Sequence, residues 1–251
     1  MYQHVNKAPS DNLRYRQPTN NTDPTRRERR YLEVLWYLCH RHEPVLAVHL
    51  VRWLDARPPT VSQVLRLLEG KGYIERSQRG DIVLTQRGHA QAQQIVYRHR
   101  LLERFLFDVV HVPWYLLHRE ATDLEHALSE RIMQRMQQLV SGTDTSPYGH
   151  PLQLGDPAPA SQIRLSVAPE GSSFVIQRID EEAEEDQTLL HEFAAVGVLP
   201  HMRLHVVSTA GLLGLTVRTE QRMLMLVPEH ARLVWGGSEW DRCETGMLLI
   251  A

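Results

Sequence analysis

Residues 58–85 read "PPTVSQVLRLLEGKGYIERSQRGDIVLT", and the hydrophobic period changes partway through them. Val61, Val64, Leu65, Leu67 and Leu68 recur at helical spacing after two prolines suited to a helix start, and Gly70 or Gly72 ends the run. Tyr73–Arg76 and Ile82–Thr85 then form two short extended runs around a turn at Gly80, which is a hairpin pattern. Two more helical stretches precede this one, "RRYLEVLWYLCHRH" from Arg29 and "PVLAVHLVRWLDA", where Pro44 suits a first turn. Three helices followed by a hairpin is the order of a winged helix.

In a helix-turn-helix the second helix of the pair enters the major groove, with its N-terminal residues at the base edges. That helix starts at Pro59 and Thr60, and its polar side carries Thr60, Ser62, Gln63 and Arg66. Glutamine pairs bidentately with adenine, serine and threonine contact bases or phosphates, and arginine suits a phosphate or a guanine. Arg76 and Arg79 flank the hairpin tip, where a wing meets the phosphate backbone. The charge distribution agrees. Residues 1–104 hold 18 Lys+Arg against 10 Asp+Glu, whereas residues 105–251 hold 10 against 20. Double-stranded DNA is therefore the expected partner of the first half.

A long helix follows the hairpin, "LTQRGHAQAQQIVYRHRLLERFLFDVV", with Thr85 as its cap, and Pro113 opens a further helical region to about Val140. The first places His99 and Glu103 four apart. The second, as one continuous helix, puts His118, Thr122, Glu125 and His126 on a single face. Each set alone is the common pattern of a solvated helix face; two sets on adjacent helices point to a metal. Imidazole with carboxylate suits Mn(II), Fe(II), Co(II), Ni(II) or Zn(II). Two cysteines, Cys39 and Cys243, exclude a cysteine-rich zinc site and a disulfide framework, and fit a reducing cytoplasm. No apolar run is long enough to cross a membrane, and there is no Gly-rich phosphate loop, nucleophile elbow or HExxH motif to suggest an enzyme. After a Gly/Pro/Ser-rich segment come six short alternating runs, interrupted by the helix "TLLHEFAAVGVLP", which form a small β-barrel.

The stretch from residue 58 to 110, followed by "HREATDLEHALSERI" and "SPYGHPL", resembles the diphtheria toxin repressor family of iron- and manganese-dependent transcriptional repressors. The resemblance is close over about residues 30–152 and looser beyond. It implies a mainly α protein with a small β domain: a flexible arm over 1–28, a winged helix over 29–86, a helical metal-binding and dimerisation domain over 87–141, a linker over 142–161 and an SH3-like barrel over 162–240. It implies activation by Mn(II) or Fe(II), a homodimer on a palindromic operator, and no membrane association. The dimer would use the apolar faces of "FLFDVVHVPWYLL" and "HALSERIMQRMQQLV", and the arm, with Arg14, Arg16, Arg26 and Arg27, would add DNA contacts.

Two metal positions are implied. One would use His99, Glu103 and His118, completed from the acidic run at 180–187, with Asp186 and Gln187 as candidates. The other would use Glu125 and His126 with two further ligands, but Arg30 and Thr122 stand at those places. Two readings of this departure remain. The main site is rebuilt from His99, Glu103, His118, Glu125 and His126 with Glu33 or Asp123 assisting, or Arg30 pairs with Glu125 and replaces the cation. A metal-independent winged-helix regulator with a degenerate site is the alternative function.

Overall fold

The computed structural model describes residues 23–41, 44–77, 79–153, 162–209, 214–219 and 222–237. The arm over 1–22 and the second half of the linker, 154–161, lie outside the described residues.

Helix α1 spans Arg26–Cys39 and begins earlier than its apolar pattern suggests, because Thr25 and Glu28 form a capping box. Glu28 Oε2 accepts from the Thr25 N–H at 2.6 Å and from Lys71 Nζ at 2.8 Å. Residues 26–28 of the expected arm are therefore helical. Helix α2 (Ala47–Trp53) starts after Pro44, not at it. Helix α3 (Pro58–Gly70) follows, with both prolines in its first turn, and then strands β1 (Ile74–Arg76) and β2 (Ile82–Leu84) pair antiparallel. This is the winged helix.

Helix α4 (Gln86–Phe105) is capped by Thr85, whose hydroxyl oxygen accepts from the Gly88 N–H at 3.0 Å. Gly88 lies against the base of the hairpin, and a Cβ there would sit 1.8 Å from the Tyr73 carbonyl oxygen. Gly88→Ala is expected to cost roughly 1–3 kcal/mol, because the wing root must move to make room. Urea unfolding checks this, and an unchanged midpoint would contradict the packing.

The helix ends in a π-wound segment, Leu106–Val110, closed by His111 in the left-handed region at φ 61°. A 3-10 turn (Trp114–Leu116) leads into α5 (Leu117–Leu124), and α6 (Glu130–Leu139) follows. The single helix expected from Pro113 to Val140 is thus broken. Ser129 caps a new helix by accepting from the Ile132 N–H, and a turn over residues 125–127 separates the two. Glu125 and His126 fall in that turn.

The remaining chain forms a six-stranded antiparallel sheet in the order β3-β8-β4-β5-β6-β7. Its strands are β3 (Ile163–Arg164), β4 (Ser173–Ile179), β5 (Arg203–Ser208), β6 (Leu215–Arg218), β7 (Met223–Leu226) and β8 (Val234–Gly237). All six sequence-derived strands are present, but among the described residues the sheet leaves β3 and β7 as edges and does not close into a barrel. Short helices α7 (Glu181–Glu184), α8 (Gln187–Val196) and α9 (Pro228–Ala231) connect the strands.

Two hydrophobic cores result. One contains Leu32, Leu35, Leu65 and Ile82, and reaches Ala92, Ile95 and Val96 on α4. The other begins at Leu101 and Leu102 on the same helix and runs without a break into the C-terminal sheet, through Trp114, Tyr148, Phe174 and Leu204. The helical region and the sheet therefore share one interior. Helix α4 crosses from one core to the other, and buried His99, Arg100 and Glu103 lie where the two meet, with Leu101 and Leu102 of the second core among them.

Candidate metal centre

His99 and Glu103 are one turn apart on α4, and His118 lies at the start of α5, packed against them. Glu103 Oε1 is 2.9 Å from His99 Nε2 and 3.4 Å from His118 Nδ1, and the two nitrogens are 3.1 Å apart. Three buried donor atoms thus form a triangle with edges near 3 Å. Donors bound to one ion at about 2.0–2.2 Å and at right angles would be spaced about 3 Å apart. The set is two imidazoles and one carboxylate, which suits first-row divalent metals. Glu103 Oε1 is buried and faces both nitrogens without a well-aligned hydrogen bond to either, an arrangement that a cation would satisfy. The residues fit a divalent ion.

The surroundings orient these donors. The far nitrogen of His99, Nδ1, faces Glu125 Oε2 at 3.2 Å and Glu33 Oε1 at 3.8 Å. A carboxylate behind a ligating histidine fixes its tautomer and raises its basicity. Glu125 thus faces the His99 nitrogen that is turned away from Glu103 Oε1. Tyr148 Oη accepts from the His118 N–H at 3.2 Å and donates to the Trp114 carbonyl at 3.0 Å, so the start of α5 is held in place. Burial opposes charge on His99, but Glu33 and Glu103 outweigh it and push the imidazole up to about 10. Burial would likewise raise Glu103, yet His99 and His118 hold it down at about 2. The same balance raises His118 well above the usual imidazole range.

The C-terminal sheet supplies a fourth group. Glu184 Oε2 lies 3.4 Å from His118 Nδ1, and Glu185 Oε2 lies 3.7 Å from His118 Nε2. The expected candidates from this run, Asp186 and Gln187, are used otherwise. Asp186 caps α8, accepting from the Thr188 and Leu189 N–H groups at 3.0 Å each, and Gln187 accepts from Arg119 at 3.2 Å. Because Asp186 must start α8, the carboxylates turned inward are those of the preceding short helix. The D-Q-T-L sequence carries that capping signal.

The other candidate positions stand as follows, and one expected pairing is corrected. His126 is a quarter exposed in the turn after α5, 3.6 Å from Glu125 Oε1, and lines an open cleft with Arg26, Arg27 and Thr60. Asp123 is exposed and paired with Arg26 at 3.2 Å. Arg30 does not pair with Glu125. Its guanidinium donates to Glu33 Oε2 at 2.7 Å and to Glu185 Oε1. Glu33 also accepts from the Tyr37 hydroxyl at 3.0 Å, so its carboxylate serves Arg30 and Tyr37 while standing behind His99. Thr122 donates its hydroxyl to the His118 carbonyl at 2.8 Å.

Further contacts tie the sheet to the winged helix. Arg41, at the end of α1, donates to Asp180 and, at 3.2 Å, to Glu182, and Trp53 Nε1 donates to Glu185 at 3.0 Å. On the DNA-reading side, Pro59, Ser62, Gln63 and Arg66 are exposed and Thr60 is half-buried at the start of α3. Arg76 and Arg79 are exposed on the hairpin, Arg76 being 3.8 Å from Glu69.

Residues 85–153 match the family described as iron dependent repressor, metal binding and dimerisation domain. The iron-dependent repressor IdeR of Mycobacterium tuberculosis is 32% identical over 192 residues, covering 72% of this chain and 84% of that protein. The diphtheria toxin repressor of Corynebacterium jeikeium is 28% identical over 222 residues, covering 80% and 91%. Among solved structures, a manganese-dependent transcriptional repressor in complex with manganese aligns with a TM-score of 0.73 at 26% identity, covering 84% of this chain and 99% of that one.

Proposed function

The chain belongs to the iron-dependent repressor family, and from that premise we propose that it is a metal-activated, DNA-binding transcriptional repressor working as a homodimer. The observation that carries this is the His99–Glu103–His118 triangle, set where α4 passes from the winged-helix core to the second core. Mn(II) and Fe(II) are the leading ions, in keeping with the relatives; Zn(II), Co(II) and Ni(II) suit the same donors. A bound ion would take over from the imidazole protons as the positive charge facing Glu103 and Glu184. The protein's own groups then transmit that state. Glu184 and Glu185 lie at the end of α7 in the C-terminal half, His118 on α5, and Arg30, Arg41 and Trp53 in the winged helix, so one packed set of polar contacts spans all three. A cation that favours one placement of these parts shifts their equilibrium by its differential affinity.

The dimer face is the exposed apolar surface of the π-wound segment and helices α5 and α6, including Phe107, Val109, Val110, Leu124, Ile132 and Leu139. Two recognition helices related by a twofold axis would meet a palindrome. DNA enriched from a random-sequence pool by the Mn(II)-loaded protein provides the probe. Fluorescence anisotropy should show tight binding with Mn(II) or Fe(II), and loss of it with chelator. On that DNA, Gln63→Ala should cost roughly 1–3 kcal/mol and relax one base position, while leaving the salt dependence unchanged. A uniform loss across sequences would make Gln63 a backbone contact instead.

A second reading is favoured by one observation. Arg30 already neutralises Glu33 and Glu185 from within, as in a regulator that no longer needs a metal. Chelator-insensitive DNA binding would support it.

A further inference from the structure

The loop over 145–151, inside the segment expected to be a linker, is buried and tightly built. Ser146 N–H donates to the His150 carbonyl at 2.7 Å, and Thr145 and Pro151 form a bridge. Gly149, at φ +90°, passes so close to β4 that a Cβ would meet the Gln177 carbonyl oxygen at 2.0 Å. The Ile179 N–H donates to the Tyr148 carbonyl at 2.9 Å. The loop is pinned to the strand that leads into α7.

From this fixed base, His150 projects between two carboxylates and is 3% exposed. Its Nδ1 is 3.2 Å from Glu181 Oε1, and its Nε2 is 3.2 Å from Glu184 Oε1. Glu181 has a second partner, Arg100 Nη2 at 3.0 Å, and Arg100 Nη1 donates to the Pro151 carbonyl at 2.9 Å. His150 Nε2 and Glu184 Oε1 are both buried without a hydrogen-bond partner and face each other at 3.2 Å, whereas the second oxygen of Glu184, Oε2, faces His118. The two ring nitrogens of His150 point at different carboxylates, so they cannot both converge on one ion. What the ring can do is set the orientation of Glu184. Two residues away, Tyr148 fixes the backbone of His118. One short loop thus grips the metal centre from both sides.

We propose that His150 is a positioning residue: it aims the Glu184 carboxylate at His118, so that the C-terminal sheet contributes a donor to the metal centre. The inference rests on the metal-centre reading above. A purely structural histidine would contribute to folding alone; a positioning one acts through Glu184 and changes how the centre holds its ion.

The test is isothermal titration of Mn(II), together with Co(II) absorption spectra, on full-length wild type, His150→Ala, His150→Gln, Glu184→Gln and the His150→Ala/Glu184→Gln double variant. His150→Ala is expected to weaken Mn(II) binding by about 10–100-fold and to alter the Co(II) spectrum, with the stoichiometry unchanged. His150→Gln, which keeps a donor, should recover part of the loss. The double variant should bind no worse than Glu184→Gln alone, because both changes remove one interaction. The proposal is overturned if a folded His150 variant binds Mn(II) as wild type does, or if the two single losses add. Should His150→Ala fail to fold, His150→Gln decides the matter by showing either an intermediate affinity and altered spectrum, or neither. Wild-type protein that takes up no Mn(II) would overturn the metal centre itself, and this inference with it.

Discussion

His118→Ala should abolish metal-dependent DNA binding, and weaken Mn(II) binding by more than the roughly 10–100-fold expected for loss of a supporting group. The imidazole supplies one corner of the donor triangle and is also the group approached by Glu184. Its removal leaves His99 and Glu103 as an isolated pair and disconnects the sheet from the centre. The wild-type titration carries an internal check. His99 is pushed up to about 10 and His118 is raised as well, and their facing nitrogens, 3.1 Å apart, share a proton between them before metal arrives. Ligating nitrogens must lose their protons. Uptake of one ion at pH 7 should therefore release at least about one proton, and affinity should rise with pH until the imidazoles are neutral. The stability link has the opposite sign. The contribution of His99 to the metal-free fold is fully present below the unfolded value of 6.5 and is lost as pH rises toward about 10. Titration calorimetry in two buffers of different ionisation enthalpy measures the proton count. A His118→Ala protein with wild-type affinity would remove the triangle from consideration.

The second large effect is expected at Arg30. Arg30→Met keeps most of the hydrocarbon stem but leaves Glu33, which is 2% exposed, without its strongest partner, and frees Glu185 from the winged helix. Breaking a buried ion pair from one side costs about 3 kcal/mol. In a chain of this length that corresponds to a fall in Tm of roughly 6–12 °C. The freed carboxylates should make the variant gain more from added Mn(II) than wild type does. Thermal melts with Mn(II) and with chelator read both effects. A Tm loss under about 2 °C would show that the pair contributes little.

The legible and illegible parts of this molecule divide along physical lines. The change of period within residues 58–85 located the recognition helix and the wing, because local pattern and tertiary packing agree there. The i, i+4 pair His99 and Glu103 was readable because α4 is continuous through it. The next helix stops earlier than its pattern suggests: α5 ends at Leu124 and Ser129 caps a new helix, which leaves His126 in a turn while Glu125 still reaches His99. The acidic run at 180–187 lies beside His118, but composition could not say which carboxylates turn toward it; the cap of α8 decides that. His150 was hidden for another reason. Glycine and proline density suggested a linker, whereas Gly149 permits a close backbone approach that only the folded sheet reveals. Arg30 was recognised as a departure, and its partners were not, since Glu185 comes from 155 residues away.

Helix α4 carries its buried charged groups, His99, Arg100 and Glu103, where the two interiors meet, interleaved with Leu101 and Leu102. An ion shared by His99, Glu103 and His118 would tie this stretch of helix to α5 and hold it more stiffly. Amide hydrogen exchange around His99–Glu103 should slow when an ion is held there, while exchange deep in both flanking interiors stays as it was.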